Sequence, residues 1–204
     1  MIYYLTILFF RIYFFFFLDK TVEGTENIPT EGAALLVSNH ISLLDGPLLA
    51  VTNKRKLSAF AKKSVFGSKV KLWYLKAIGG IPVQSKSINR ELLTKTMQLF
   101  NKGGILMIFP EGKINSSGEL GEFKDGFIKI AAQFHVPIIP VTIKGTEKSL
   151  NKNQKFPKPA KVEVIYNKPI KLNAVKNQLT KEEIQIKVEK IKSIIQNNLL
   201  CKSE

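Results

Sequence analysis

The sequence is poor in the residues that build disulfide frameworks and metal clusters. Among 204 residues there is one cysteine, Cys201, and there are two histidines, His40 and His135. A single cysteine excludes an internal disulfide and a cysteine metal cluster, and it is typical of a reducing compartment. We therefore expect a domain held together by its apolar core. We also expect neither a metal ion nor a cofactor in its site.

Acidic residues are also scarce. Lysine and arginine total 31 against 16 aspartates and glutamates, which gives a formal net charge of +15. Such a balance favours anionic partners, namely nucleic acid, anionic lipid headgroups or phosphorylated substrates. Because the sequence contains no arginine-rich tract, zinc-finger spacing or glycine-aromatic RNA-binding signature, we do not expect nucleic acid to be the partner.

Charge is nearly absent from residues 1–18, which are mostly apolar and aromatic, with Arg11 as their only charge. As a helix this segment is about 27 Å long, slightly short of a ~30 Å hydrocarbon core. It either spans a bilayer marginally or lies partly immersed with Arg11 among the headgroups. A buried core helix is the alternative. We expect a membrane anchor at residues 1–18 and one globular domain at residues 19–204.

Predicted strands and helices alternate along the domain. Short apolar runs predict strands at residues 33–37, 57–61, 81–83, 105–109, 138–143 and 161–166. Helices are predicted at residues 64–77, 88–102 and 123–134, and a last helix begins with the capping-box pair Thr180 and Glu183. Residues 147–160 are predicted to form a loop. This order predicts an α/β domain with a mixed, largely parallel sheet flanked by helices, and with functional residues in loops after strand ends.

His40 and Asp45 stand five positions apart, directly after the first predicted strand of the domain. In one continuous helix their side chains would lie about 140° apart and could not meet. They can meet if His40 lies in a loop and Asp45 begins a helix, and Pro47 suits the first turn of such a helix. A carboxylate that orients an imidazole makes it a usable general base, whereas the alternative is two unrelated caps.

Three further segments accompany this pair in order along the chain. They are Gly-Gly-Ile-Pro-Val at residues 79–83, Phe-Pro-Glu-Gly at residues 109–112 and Val-Pro-Ile-Ile-Pro-Val at residues 136–141. Together with the histidine-aspartate motif, they make the chain resemble the glycerolipid acyltransferase family typified by 1-acylglycerol-3-phosphate acyltransferase. The resemblance covers residues 22–145, and it implies the fold and the O-acyltransferase activity of that family.

The resemblance implies transfer of a fatty acyl group from a coenzyme A or acyl carrier protein thioester to the free hydroxyl of a lysophospholipid. With 1-acylglycerol-3-phosphate as acceptor, the product is phosphatidic acid, made for phospholipid biosynthesis at the cytoplasmic face of the cell membrane. By this analogy His40 removes the proton of the acceptor hydroxyl and Asp45 holds the imidazole. A hydrolase that uses Ser42 as its nucleophile is a competing interpretation.

Two further roles follow from the same resemblance. The oxyanion that develops on the thioester is expected to be stabilised by backbone amides near His40 or by Lys62. Glu111 and Gly112 lie where the family places residues that bind the acceptor. A structural role for Glu111, in which it bonds the amides of its own loop, is the alternative.

The sequence departs from the family at two arginines that grip the acceptor's phosphate. After Phe-Pro-Glu-Gly the family usually continues Thr-Arg-Ser, but here Lys-Ile-Asn follows at residues 113–115, and the second arginine position holds Gln-Ser-Lys at residues 84–86. Lysine supplies charge without the bidentate contact that arginine offers, so Lys86, Arg90 and Lys113 can compensate only in part. Either these cations bind the phosphate, or the acceptor is another lysolipid, or the chain is a non-catalytic membrane-binding homologue.

Overall fold

The computed structural model describes residues 2–62, 73, 79–84, 88–115, 119–151, 154, 156–172 and 179–201. Its strands are β1 (Leu18–Glu23), β2 (Ala34–Ser38), β3 (Leu57–Lys62), β4 (Gly80–Val83), β5 (Ile105–Ile108), β6 (Ile138–Lys144) and β7 (Ala160–Tyr166). Its α-helices are α1 (Ile2–Phe17), α2 (Asp45–Thr52), α3 (Arg90–Phe100), α4 (Gly126–Phe134), α5 (Thr146–Ser149) and α6 (Lys181–Leu200), and a 3-10 turn covers Thr25–Asn27.

The seven strands form one sheet in the order β1-β7-β6-β2-β5-β3-β4. Neighbouring strands run parallel except β6 and β7, which are antiparallel. The predicted mixed, largely parallel sheet is therefore confirmed. Strands β2 to β6 all point the same way, so their carboxyl ends share one edge of the sheet, which we call the carboxyl edge. Their amino ends share the opposite edge, the amino edge.

Helices cover both faces of this sheet, as the sequence predicts. On β2, Leu36 packs into a core layer with α1 and α2, whereas Leu35 and Val37 pack into a second layer with α3, α4 and α6. All five residues of β2 are buried, because a central parallel strand is covered on both faces. This two-sided burial fixes the register of β2 and therefore the position of the loop that follows it.

Element boundaries differ from the predicted ones by a few residues, for local reasons. Helix α3 begins later than predicted because the Asn89 side chain caps it, accepting a hydrogen bond from the Leu92 amide. Helix α4 begins only at Gly126, and β5 ends before Phe109. The predicted helix at residues 64–77 lies outside the described residues apart from Trp73.

The predicted loop at residues 147–160 is wrong at its start, because the short helix α5 occupies Thr146–Ser149. Gly145 precedes it with φ +85°, and a Cβ on this residue would lie 2.0 Å from the carbonyl oxygen of Lys161. Only glycine fits this turn. The capping box of Thr180 and Glu183 at the start of α6 is confirmed by both of its hydrogen bonds.

Helix α1 lies against the domain and leaves an apolar face outward. Tyr3 and Phe14 are buried, and the helix packs against α2. The outward side carries large apolar residues that are at least one third exposed: Tyr4, Leu5, Leu8, Phe9, Ile12, Phe15, Phe16 and Phe17. Among the described residues, no helix is both long and apolar enough to cross a membrane.

Candidate active site

The loop after β2 brings His40 and Asp45 into contact at the carboxyl edge. His40 follows the end of β2 by two residues, and Asp45 is the first residue of α2. The turn between them places Nδ1 of His40 2.9 Å from Oδ2 of Asp45. The imidazole keeps a side-chain exposure of 19%, whereas the carboxylate is fully buried. The two side chains thus meet in the geometry that a general base and its orienting carboxylate require.

The buried carboxylate of Asp45 is surrounded by hydrogen-bond donors. Oδ2 also accepts from the backbone amides of Ile41 at 2.7 Å and Ser42 at 2.8 Å. Oδ1 accepts from the hydroxyl of Thr146 at 2.6 Å. An ionised carboxylate offers only acceptors, and this one has four donors around its two oxygens. The site is therefore built to hold Asp45 as a buried anion.

This arrangement determines which nitrogen of His40 carries the proton. Because the ionised Asp45 can only accept, Nδ1 of His40 donates to it and bears the hydrogen. The other ring nitrogen, Nε2, then presents a lone pair. A neutral imidazole of this tautomer can accept a proton from a hydroxyl, and the buried anion beside it stabilises the imidazolium that results.

The Phe-Pro-Glu-Gly loop holds His40 from three further directions. The ring of Phe109 stacks on the imidazole with centroids 4.0 Å apart and planes 14° apart. The amide of His40 donates to Oε1 of Glu111 at 2.9 Å, and its carbonyl accepts from the amide of Asn115 at 2.7 Å. The backbone and the ring are both fixed, so the Nδ1 contact to Asp45 has little freedom to rotate away.

Both carboxylate oxygens of Glu111 accept hydrogen bonds from backbone amides. Besides the His40 amide on Oε1, Oε2 accepts from the amide of Gly121 at 3.0 Å, and the residue is only 6% exposed. A Cβ on Gly121 would lie 2.7 Å from Oε2, so this close approach needs glycine. These contacts favour the structural alternative for Glu111 over direct binding of an acceptor.

The hydroxyl of Ser42 is occupied by hydrogen bonds within the protein. Its hydroxyl donates to the carbonyl of Leu150 at 2.6 Å and accepts from the amide of Leu44 at 3.1 Å, and the residue is fully buried. A nucleophile must reach the substrate carbonyl and pass its proton to a base. The proton of Ser42 points at a backbone carbonyl instead, which weighs against the hydrolase interpretation.

The backbone amides nearest to His40 are also occupied. Those of Ile41 and Ser42 donate to Asp45, and that of His40 donates to Glu111. The expectation that amides of this turn stabilise an oxyanion is therefore wrong for these three, because each donor already serves a buried carboxylate. Lys62, the other expected donor, ends β3 at the carboxyl edge, but its side chain lies outside the described part of the chain.

Two cations, Lys113 and Lys124, lie beside the Phe-Pro-Glu-Gly turn at the carboxyl edge. Lys113 is exposed beside Gly112, whose φ is +72°. The ammonium of Lys124 lies close to Gly112, since a Cβ on Gly112 would be 3.4 Å from Nζ of Lys124. The amide of Lys124 donates to the carbonyl of Pro110. Arg90 is exposed at the first turn of α3, and Lys86 lies outside the described residues.

Three residues of this site were missed by the sequence reasoning. Thr146 completes the donors around Asp45, and Lys124 adds a cation beside the Phe-Pro-Glu-Gly turn. Asn39 exchanges two hydrogen bonds with the backbone of Ile143, at 2.8 and 2.9 Å, which locks the loop to β6. The rule that polar residues after strand ends gather at one edge would have found Thr146, which follows β6 by two residues.

Comparisons with known proteins agree with this geometry. The family described as Acyltransferase matches residues 19–144. A chloroplastic 1-acyl-sn-glycerol-3-phosphate acyltransferase of Brassica napus is 33% identical over 76% of this chain and 46% of its own length. A 1-acyl-sn-glycerol-3-phosphate acyltransferase of Cocos nucifera is 34% identical over 74% of this chain and 49% of its own length.

The fold has a match among solved structures. The crystal structure of the 1-acyl-sn-glycerophosphate acyltransferase of Thermotoga maritima superposes with a TM-score of 0.79 at 26% sequence identity. The match covers 98% of this chain and 80% of that one. The chain spans about half the length of the two plant relatives that it matches.

Proposed function

Because the chain belongs to the acyltransferase family, we propose that it transfers a fatty acyl group from acyl-CoA or acyl-acyl carrier protein to the free hydroxyl of 1-acylglycerol-3-phosphate, giving phosphatidic acid for phospholipid biosynthesis. The observation that carries the proposal is the 2.9 Å contact between His40 and the buried Asp45. Relatives bearing the 1-acyl-sn-glycerol-3-phosphate acyltransferase name support the choice of acceptor.

The proposed reaction needs one base and no covalent intermediate. Nε2 of His40 takes the proton of the acceptor hydroxyl while the hydroxyl oxygen attacks the thioester carbonyl. The carbon-sulfur bond breaks as the ester forms, and the leaving thiolate takes up the proton from the imidazolium. Asp45 stabilises the imidazolium in between, because its negative charge lies directly against Nδ1. Phe109, Glu111 and Asn115 hold the ring and backbone of His40 during this exchange.

We assign the oxyanion and the phosphate of the acceptor to basic side chains. With the amides of the His40 turn occupied, we assign the oxyanion to Lys62. Lys113, with Arg90 and Lys86, takes the place of the two missing family arginines, and Lys124 adds a further ammonium beside Gly112. Each ammonium acts on a phosphate as a point charge.

A comparison of two histidine variants tests the role of His40. His40→Ala should abolish release of free thiol from the acyl donor in the presence of a lysolipid. His135→Asn serves as the matched control, because His135 is exposed at the end of α4 and asparagine tolerates its φ of 51°. If His40→Ala stays folded and turns over at the wild-type rate, the proposed base is wrong.

A panel of donors crossed with a panel of acceptors tests the substrates. Acyl-CoA and acyl-acyl carrier protein are each offered with 1-acylglycerol-3-phosphate, a lysophospholipid with a larger headgroup, and no acceptor. Phosphatidic acid should form with one of the donors. Acyl transfer only to the other lysophospholipid would move the assignment to that acceptor. Binding to membranes without transfer would favour the non-catalytic homologue, and release of fatty acid without acceptor would favour a hydrolase.

We further propose that α1 attaches the domain to the cytoplasmic face of the cell membrane by lying in the interface. Its outward apolar face continues from Tyr4 to Phe17, and such a face is typical of helices that lie along a bilayer. Deleting residues 1–18 would also remove Phe14 from the core, so exposed positions make the better test.

Phe9→Gln with Phe16→Gln should release the protein from liposomes, because these side chains are 63% and 72% exposed and burial of each in lipid is worth roughly 1.5–3 kcal/mol. Ile186→Gln is the matched control, since Ile186 is 67% exposed on α6. Equal liposome binding by the double variant and the control would contradict attachment through α1.

A further inference from the structure

A cavity with basic lining residues lies at the amino edge, away from the candidate active site. A cavity of about 550 Å³ opens between α1, the end of α2 and the segments that precede β3 and β5. His40 lies beyond the carboxyl end of β2, and Ala34 at the start of that strand pairs with Ile105 at the start of β5. Strand β2, which lies between the cavity and His40, rises about 3.3 Å per residue, so the cavity and His40 are separated by more than ~13 Å. The phosphate of a reacting acceptor therefore cannot occupy this cavity.

The cavity is lined by basic side chains without acidic partners. Arg11, Lys54, Lys56 and Lys102 line it, and no acidic residue does so in the described part of the chain. None of these four forms an ion pair with another described residue. Four unneutralised cations around one concave surface attract a polyvalent anion such as a phosphate group.

Asn53 adds an unsatisfied hydrogen-bond donor to the cavity wall. It ends α2 on the cavity wall and is only 5% exposed. Its Oδ1 accepts from the amide of Arg55, but its buried Nδ2 has no hydrogen-bond partner among the described residues. A buried donor without an acceptor is unusual, and a turn of the Asn53 side chain toward the cavity would let Nδ2 donate to an anion bound there. Arg55 itself is occupied, because its guanidinium donates to the carbonyls of Pro29, Gly32 and Gly103.

The mouth of the cavity continues into the apolar face of α1. Tyr4, Leu8 and Arg11 line the cavity at helical spacings of four and three residues, so they form one ridge, which Phe15 extends. Tyr4 and Leu8 are 70% and 52% exposed. Arg11, the single charge of this apolar helix, lines the cavity with the three lysines and can contact the same anion. A ligand that carries a phosphate next to acyl chains matches both surfaces at once.

Tyr3 completes the wall without adding negative charge. The ammonium of Lys56 lies 5.2 Å from the centre of the Tyr3 ring, and the Tyr3 hydroxyl accepts from the amide of Leu57 at 3.2 Å. Burial raises the pKa of the Tyr3 phenol, so the hydroxyl stays neutral around neutral pH. Tyr3 therefore adds no negative charge to the basic wall of the cavity.

We propose that this cavity binds the phosphate headgroup of an anionic membrane phospholipid, as a site separate from the one that holds substrate. The inference rests on the proposed attachment of α1 to the membrane, since that attachment brings lipid headgroups to the mouth of the cavity. A bound headgroup would fix the amino edge of the domain at the bilayer surface.

Two triple variants with the same net charge test the site. Lys54→Gln, Lys56→Gln and Lys102→Gln together remove charge from the cavity, and the control removes it from three exposed lysines elsewhere, Lys168, Lys181 and Lys190. Binding is measured by flotation with vesicles of phosphatidylcholine alone and of phosphatidylcholine with phosphatidic acid. One lysine near an anionic surface is worth about fivefold in binding. The cavity variant should lose about 100-fold of the preference for phosphatidic acid, and the control variant less than tenfold.

Asn53→Asp is a second, nearly isosteric variant. Its carboxylate can still accept from the Arg55 amide, so the turn is kept, but it removes the orphan donor and repels an anion. It should lower the preference for phosphatidic acid without lowering binding to phosphatidylcholine vesicles. Equal losses in both triple variants, or a full preference in Asn53→Asp, would overturn the proposal and leave only diffuse charge.

Two further measurements separate the alternatives. The first measures how well dissolved inorganic phosphate protects the wild type against unfolding. If it protects as well as vesicles do at equal phosphate concentration, the lipid assignment is overturned. Acyl transfer in detergent micelles should be unchanged in the cavity variants, because His40 lies at the opposite edge of the sheet. If micellar transfer fails in the wild type as well, while the preference for anionic vesicles follows the cavity lysines, the proposed function fails and the lipid site stands.

Discussion

Asp45→Asn isolates the charge of the carboxylate from its geometry. An asparagine has two possible orientations here, and only one satisfies its neighbours. Its oxygen must face His40 and the amides of Ile41 and Ser42, because an amide NH₂ placed there would meet three donors. The NH₂ group then faces Thr146, whose hydroxyl can turn and accept. The tautomer of His40 is therefore preserved, and the negative charge is lost.

The size of the expected effect follows from that lost charge. An imidazolium and a carboxylate whose charges lie about 4 Å apart attract each other by about 4 kcal/mol at an effective dielectric constant of ~20. If the imidazolium is fully formed in the transition state, kcat should fall by roughly a thousandfold. KM for both substrates should change little, because Asp45 is buried and touches neither.

The assay follows the free thiol that leaves the acyl donor, using the folded variant in the presence of lysolipid. Cys201 is the only cysteine of the chain and is exposed, so it contributes one constant thiol to the background. Circular dichroism and thermal unfolding verify the fold. A folded Asp45→Asn enzyme whose kcat lies within tenfold of the wild type would refute the assignment of His40 and Asp45 as base and orienting anion.

Four further variants probe the supports of the site. Thr146→Val removes one donor from the carboxylate of Asp45. We expect kcat to fall by about tenfold in steady-state kinetics, and the free energy of unfolding to fall by about 1–3 kcal/mol in a urea titration. Glu111→Gln leaves one backbone amide facing an NH₂ group and should lower kcat without raising KM for the acceptor, whereas a rise in KM alone would restore direct acceptor binding. Ser42→Ala should destabilise the fold by about 1–3 kcal/mol yet keep transfer, and mass-spectrometric detection of an acyl group on Ser42 in the wild type would contradict this. Lys124→Ala should raise KM for a phosphate-bearing lysolipid and leave KM for a neutral monoacylglycerol unchanged, so an equal rise for both acceptors would argue against phosphate contact.

The sequence predicted the parts of the site that depend on local pattern. The turn that joins His40 to Asp45 follows from a buried strand, a five-residue spacing and a proline in the first helical turn. The capping box at Thr180 is likewise local, since its two partners lie three residues apart. Such features depend only on residues that are close together in the sequence, so the sequence alone predicted them.

Features that join distant segments were not predictable in the same way. Thr146 lies 101 positions from Asp45, and the backbone of Ile143 lies 104 positions from Asn39. Only the strand order places β6 beside β2 and so brings these residues together. The occupation of the His40 amide was missed for the same reason, because its acceptor Glu111 comes from the next loop across the sheet.

The cross-tie between the loops after β2 and β5 limits how this protein can change its acceptor. Lys113, one of the cations assigned to the phosphate, lies between Glu111 and Asn115, which both bond the backbone of His40. A substitution that reshapes this loop for another headgroup would therefore also move the base. We expect selection for new acceptors to act through side chains that leave this backbone in place, and loop insertions to reduce turnover for every acceptor alike.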